Sequence, residues 1–86
     1  MTVHELKCWP EYFEALRDGR KTFEFRVDDR DFVPGDILWL REWHPDTRYS
    51  GRDLRRRVTY VMDATPVGAA GYVVMSLEDD DLAKRT

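Results

Sequence analysis

A single cysteine, Cys8, leaves the chain without an internal disulfide. Its core must hold without covalent staples, and a reducing compartment is the expected setting. Two histidines and this one cysteine fall in no C-x-x-C or H-x-x-x-H spacing, so neither a metal nor another cofactor is expected. A glycine-rich phosphate loop and a G-x-S-x-G nucleophile elbow are both missing. No apolar run approaches the roughly 18 residues of a membrane span, and no apolar leader stretch precedes the first polar motif. These absences predict a soluble cytoplasmic domain that does not touch membranes. A net charge of −3 argues against a general coat for duplex DNA.

What the chain does contain is concentrated. Eighty-six residues amount to one small domain, with a thin margin of stability because a chain of this size buries only about 60% of its unfolded surface. Eleven aromatic residues compensate by removing large rings from water, and no internal repeat or domain boundary is visible. The sign of charge is uneven: Arg48, Arg52, Arg55, Arg56 and Arg57 crowd one segment, while 28–31 and 78–81 are acidic. Such polarity leaves room for a local polyanion site despite the acidic total.

The organising stretch runs from Gly19 through Lys21-Thr22-Phe23-Glu24-Phe25-Arg26 and Val27 to Pro34-Gly35-Asp36, and its first part is a strand. It alternates at strand period, with Thr22, Glu24 and Arg26 on one side and Phe23, Phe25 and Val27 on the other. Before it, His4 to Lys7 reads as a short strand that places His4 on the face of Leu6. Trp9-Pro10 then opens a helix that closes at Asp18-Gly19, with Tyr12, Phe13 and Leu16 on its apolar side. Pro34-Gly35-Asp36 leads into 36–43, a nearly continuous apolar strand covered on both faces, in which Leu38, Leu40 and Glu42 share a side. His44 to Gly51 is a loop or hairpin connection. Strands follow over 52–62 and 71–77, separated by a small-residue loop. The expected division is one domain over 1–78 and a charged, disordered tail over 79–86. The fold class is mostly β (α+β): a small β-barrel of about five strands with one short helix near the N-terminus. Its expected core is Phe13, Phe23, Phe25, Leu38, Leu40, Val58, Tyr60 and Val73.

Six ionisable side chains fall at strand ends or on faces shared with core residues: His4, Lys7, Lys21, Glu24, Arg26 and Glu42. Unpaired charge is costly in such places, and a cluster at a barrel mouth suits a ligand that offers both donors and acceptors. Each also has an innocent explanation, such as pairing with a neighbour on a wet surface. Arg52, Arg55 and Arg57 read either as charge that blunts an edge strand or as phosphate contacts. Cys8 beside Trp9 reads as a packed thiol rather than a nucleophile.

His4-Glu5-Leu6-Lys7, then G-x-K-T-x-E-x-R over 19–26, Asp29-Arg30-Asp31-Phe32, the G-D-x-L element at 35–38 and Gly71-Tyr72-Val73-Val74 together resemble the ASCH and PUA-like superfamily. The resemblance is narrowest to a short bacterial and phage branch known as a domain of unknown function. It covers nearly the whole chain to Leu77 and implies a PUA-like barrel with a cleft for RNA or a modified nucleoside. One branch of that superfamily hydrolyses N4-acetylcytidine. Its lysine falls on Lys21, but its acting threonine falls on Glu24, and a carboxylate does not replace a hydroxyl nucleophile. Thr22 has the wrong parity, and Glu42 matches the branch's distant glutamate only as a spatial guess. The leading expectation is therefore binding of RNA, a nucleoside or a nucleotide by the six residues, with Trp9 or Trp43 stacking on a base and the chain monomeric. The alternatives are a small hydrolase of a modified nucleoside or RNA, with Lys21, Glu24 or Glu42 as candidate catalytic groups, and a protein-interaction accessory module.

Overall fold

In the computed structural model, which describes residues 1–80, alternation and punctuation become five strands and one α-helix. They are β1 (Val3–Cys8), α1 (Pro10–Arg17), β2 (Phe23–Val27), β3 (Ile37–His44), β4 (Arg48–Asp63) and β5 (Tyr72–Asp79), with a 3-10 turn at Thr65–Val67. The strand order is β1-β3-β4-β5-β2. β1 runs parallel to β3, and all other pairings are antiparallel. No helix among the described residues is long and apolar enough to cross a membrane.

β3 lies second in the strand order, and it is buried mainly on the face of Leu38 and Leu40; Trp39, Arg41 and Trp43 on its other face are partly exposed rather than covered as expected. Ile37, Leu38 and Leu40 are fully buried. Pro10 starts α1 at a position where its missing N–H costs nothing, and the helix lays Phe13 and Leu16 onto the sheet. The chain leaves α1 through Asp18 and Gly19, whose φ of 86° suits glycine. Lys21 N–H then donates to Ala15 O at 2.9 Å. That bond returns the chain beside the helix it has just left and sets the start of β2.

The sheet curls into a half-barrel rather than closing. β1 and β2 are its edges, and no strand ladder joins them. Side chains bridge the seam instead: Arg26 Nη2 donates to Lys7 O, and Arg30 Nη1 donates to Glu5 O at 2.8 Å. Guanidinium groups thus satisfy carbonyls that a paired strand would otherwise have taken.

Leu38, Leu40, Val58, Val73 and Phe13 are core residues, as expected, with Leu6, Cys8, Leu16, Phe32 and Met75 beside them. Phe23, Phe25 and Tyr60 are not. β2 is turned inside out relative to expectation: Glu24 is 5% exposed, whereas Phe25 is 51% exposed and stacks on Tyr72 at 5.1 Å between ring centroids. Alternation separates two faces without saying which is inward, and here two cations supply Glu24 with a buried environment. Tyr60 fails for a different reason. Val58 faces Leu77 and Tyr60 faces Ser76, so β4 carries one extra residue at Thr59. This β-bulge turns Val58 and Val61 inward and Tyr60 and Met62 outward.

The 44–51 segment is a hairpin in which Trp43 pairs with Tyr49 and His44 with Arg48. At the C-terminal end β5 continues to Asp79, past the expected stop, and the Asp80 carboxylate lies 2.9 Å from Arg55 Nε. The remainder of the expected tail, 81–86, lies outside the described residues.

Candidate functional site

The seam between the β1–α1 junction and β2 opens into a cleft of about 390 Å³ lined by Lys7, Cys8, Trp9, Tyr12, Lys21, Phe23, Glu24, Phe25 and Arg26. β2 supplies Glu24 and Arg26 on one face and the two phenylalanines on the other. The turn after α1 supplies Lys21, and the helix contributes Tyr12.

Glu24 anchors the cleft. Its Oε1 lies 2.5 Å from Lys21 Nζ, and its Oε2 lies 2.7 Å from Arg26 Nε. Both carboxylate oxygens are therefore held by cations, and Arg26 reaches onward to β1. Lys21 Nζ also lies 5.0 Å from the Phe23 ring centroid and 5.6 Å from that of Tyr12. This geometry favours a cation near aromatic faces. Trp9, Tyr12, Phe23 and Phe25 are each about half exposed around this charged group. Lys7 Nζ lies 4.5 Å over Trp43, and among the described residues it has no carboxylate within ion-pair distance.

Cys8 lines the same cleft but is 3% exposed. Burial, reinforced by the nearby Glu24 charge, pushes its thiol up to about 11. It is a neutral packed thiol at physiological pH.

The other expected site residues lie elsewhere. His4 Nε2 is 2.9 Å from Asp36 Oδ2, and its ring meets Phe32 edge-on at 4.7 Å. Asp36 also accepts from Thr2 N–H and Val33 N–H. Burial raises the Asp36 carboxyl, but the bonds from His4, Val33 and Thr2 outweigh it and hold the group below its ordinary value. His4 thus ties β1 to the turn before β3. Glu42 is buried with Arg52 Nη2 at 2.8 Å and Ser50 Oγ at 2.6 Å. Those two bonds, Arg52 first, lower its carboxyl. Arg52 also binds Glu14 on α1, so this network fastens the helix to the β3–β4 hairpin. Four of the six residues, Lys7, Lys21, Glu24 and Arg26, share one cleft; His4 and Glu42 do not line it.

The three arginines expected at phosphates all have carboxylate neighbours. Arg52 meets Glu42 and Glu14, Arg55 meets Asp80, and Arg57 meets Glu78 and Asp80. The basic and acidic segments of the chain therefore neutralise each other across β4 and β5. A phosphate there would have to displace these partners.

Sequence reasoning placed Trp9 at the site but put Phe23 and Phe25 in the core and left Tyr12 to the apolar side of the helix. The available signal was the interleaving of rings with charges in Phe-Glu-Phe-Arg, which fits a cleft wall as well as a core strand. Among the described residues no group of His, Cys, Asp and Glu is arranged to hold a metal.

Residues 3–77 match the family described as Domain of unknown function (DUF3850). A protein described as an uncharacterized 12.9 kDa protein in the GpA 3′ region of Escherichia phage P2 is 39% identical over 61 residues. That match covers 71% of this chain and 55% of the phage protein, so the chain spans just over half the length of this relative. The crystal structure of hypothetical protein PH0355 superposes with a TM-score of 0.60 at 20% identity, covering 91% of this chain and 98% of that one. This is a likeness of fold. With the family match extending over nearly all the described residues, the chain belongs to the DUF3850 family.

Proposed function

We propose that this domain is a PUA-like, ASCH-type half-barrel that binds RNA or a nucleotide-like ligand in the cleft beside β2. The observation that carries this reading is the pairing of a charged floor with exposed rings. Lys21, Glu24 and Arg26 form one hydrogen-bonded group, and Trp9, Tyr12, Phe23 and Phe25 stand half exposed around it. Stranding four rings in water around one cleft is unfavourable unless a ligand covers them. A nucleobase suits the arrangement, because its faces stack on rings while its edge exchanges hydrogen bonds with charged groups. Both Glu24 oxygens are engaged by cations, which favours holding a ligand over transferring a proton. The hydrolase alternative therefore ranks second, and the domain acts as a soluble binding module.

The test is titration of the full chain with nucleosides, modified nucleosides including N4-acetylcytidine, and short single-stranded RNAs, followed by melting temperature and tryptophan fluorescence. A ligand at 100 times its Kd raises stability by about 2.7 kcal/mol, which is readily seen in a domain of this size. Trp9→Ala and Lys21→Ala each weaken binding about tenfold or more. Failure of every base-containing ligand to bind would overturn the proposal. Product formation that Lys21→Ala abolishes while binding survives would replace it with the hydrolase.

A further inference from the structure

The aromatic cleft does not stop at Lys7 and Arg26. The same two side chains line a second, adjoining depression of about 540 Å³ over the solvent face of β1, together with Glu5, Arg30 and Tyr49. Three cations meet one carboxylate there. That carboxylate is already engaged, since Glu5 Oε2 accepts from Arg41 Nη1 at 2.7 Å. Arg41 in turn lies 3.9 Å from the Tyr49 ring centroid.

The three cations are only partly occupied. Arg26 uses donors on Glu24 and on Lys7 O. Arg30 uses one on Glu5 O and lies 3.8 Å from the exposed Asp29. A guanidinium carries five N–H donors, so both retain donors for an anion, and among the described residues Lys7 faces only Trp43. The positive excess therefore gathers where the aromatic cleft opens into the second depression. Guanidinium and ammonium groups in such an arrangement match phosphate, which arginine can grip with two bonds and lysine with a point charge.

We infer that the ligand of the aromatic cleft carries a phosphate next to its base, held by Lys7, Arg26 and Arg30. The chemical class is a nucleoside phosphate, supplied either as a free nucleotide or as one unit of a single strand. This rests on the nucleobase reading above and adds to it the polarity of the site: ring side at Trp9, Tyr12 and Phe23, phosphate side over β1.

Isothermal titration of the full chain tests it with each nucleoside, its 5′- and 3′-monophosphates, inorganic phosphate and a short single-stranded RNA. A monophosphate is expected to bind about tenfold or more tightly than its nucleoside. Lys7→Gln and Arg30→Gln each shrink that ratio about threefold or more. Each also lowers the salt dependence of RNA binding by about 0.7 in log–log slope. Both side chains lie at the surface, and an unchanged melting temperature certifies the fold. An RNA that outbinds the monophosphate identifies a strand as the source, and equal affinities identify a free nucleotide. Equal binding of nucleoside and monophosphate, indifferent to both substitutions, overturns the phosphate subsite while leaving the base cleft. Inorganic phosphate binding that both substitutions weaken, without nucleoside binding, keeps the subsite and overturns the base cleft. Absence of binding by every probe overturns both.

Discussion

Glu24 lies at 5% exposure with two cations against its carboxylate from different directions, Lys21 from the turn after α1 and Arg26 from its own strand. Removing one partner leaves the carboxylate half compensated in a largely dry place. Lys21→Met and Arg26→Met are each expected to cost about 1–3 kcal/mol in urea unfolding. Glu24→Gln should cost a similar amount, because it leaves two cations facing one neutral acceptor. Asp36 makes a different prediction. Its carboxyl is held below its ordinary value near 3.8, so the stability it contributes is present above that value and is lost as pH falls through the lower, folded one. The melting temperature should drop below about pH 4. In Asp36→Asn the protein should start less stable and lose less over that range. Cys8, with its thiol near 11, should react with iodoacetamide at pH 8 about a hundredfold more slowly in the native chain than in urea. Equal rates would mean that the thiol is not packed as described.

At the scale of elements, β2 is the informative one. Its ring face points to solvent, so Phe25→Ala should destabilise by less than about 1 kcal/mol, the loss of one exposed ring and its Tyr72 contact. Leu40→Ala on β3, at 0% exposure, should cost about 2–5 kcal/mol. A reversed ranking in denaturant melts would show that β2 is turned the other way. The same pair of variants separates packing from binding, since only Phe25 lines the cleft. The bulge in β4 has a comparable role. By adding one residue at Thr59 it lets Val58 and Val61 both face the core in a strand whose simple alternation would have put them on opposite faces.

Across the whole molecule, the open seam sets the distribution of stability. β3 and β4 are flanked by strands on both sides, whereas β1 and β2 are edges joined only through side chains. Native-state hydrogen exchange should therefore find the slowest amides in β3 and the facing part of β4, and faster ones in β2. Ligand bound in the seam should slow the β2 amides most. The arginine-rich part of β4 and the acidic end of β5 hold the opposite side of the sheet together through Arg55, Arg57, Glu78 and Asp80. Their cohesion should weaken with salt more than the cleft's buried Glu24 group does.

Much of this was legible in the residues themselves. Pro10 and Gly19 bound the helix, the apolar run within 36–43 marked β3, and alternation over His4 to Lys7 put His4 and Leu6 on one face, because these signals depend only on a residue's own backbone and its near neighbours. Lys21, Glu24 and Arg26 could likewise be grouped, since they lie within six positions of one another. What local pattern could not decide was the direction of β2, because period-two alternation looks the same from either side. Only the arrival of Lys21 from the helix turn and the bond from Arg26 to β1 made the charged face the inner one. Nor could it separate His4 and Glu42 from the cleft, since their partners come from other elements, Asp36 from the turn before β3 and Arg52 from β4. The arginines of β4 were ambiguous for the same reason: whether they face phosphate or carboxylate depends on which strand lies beside them, and the register with β5 brings Glu78 and Asp80 there.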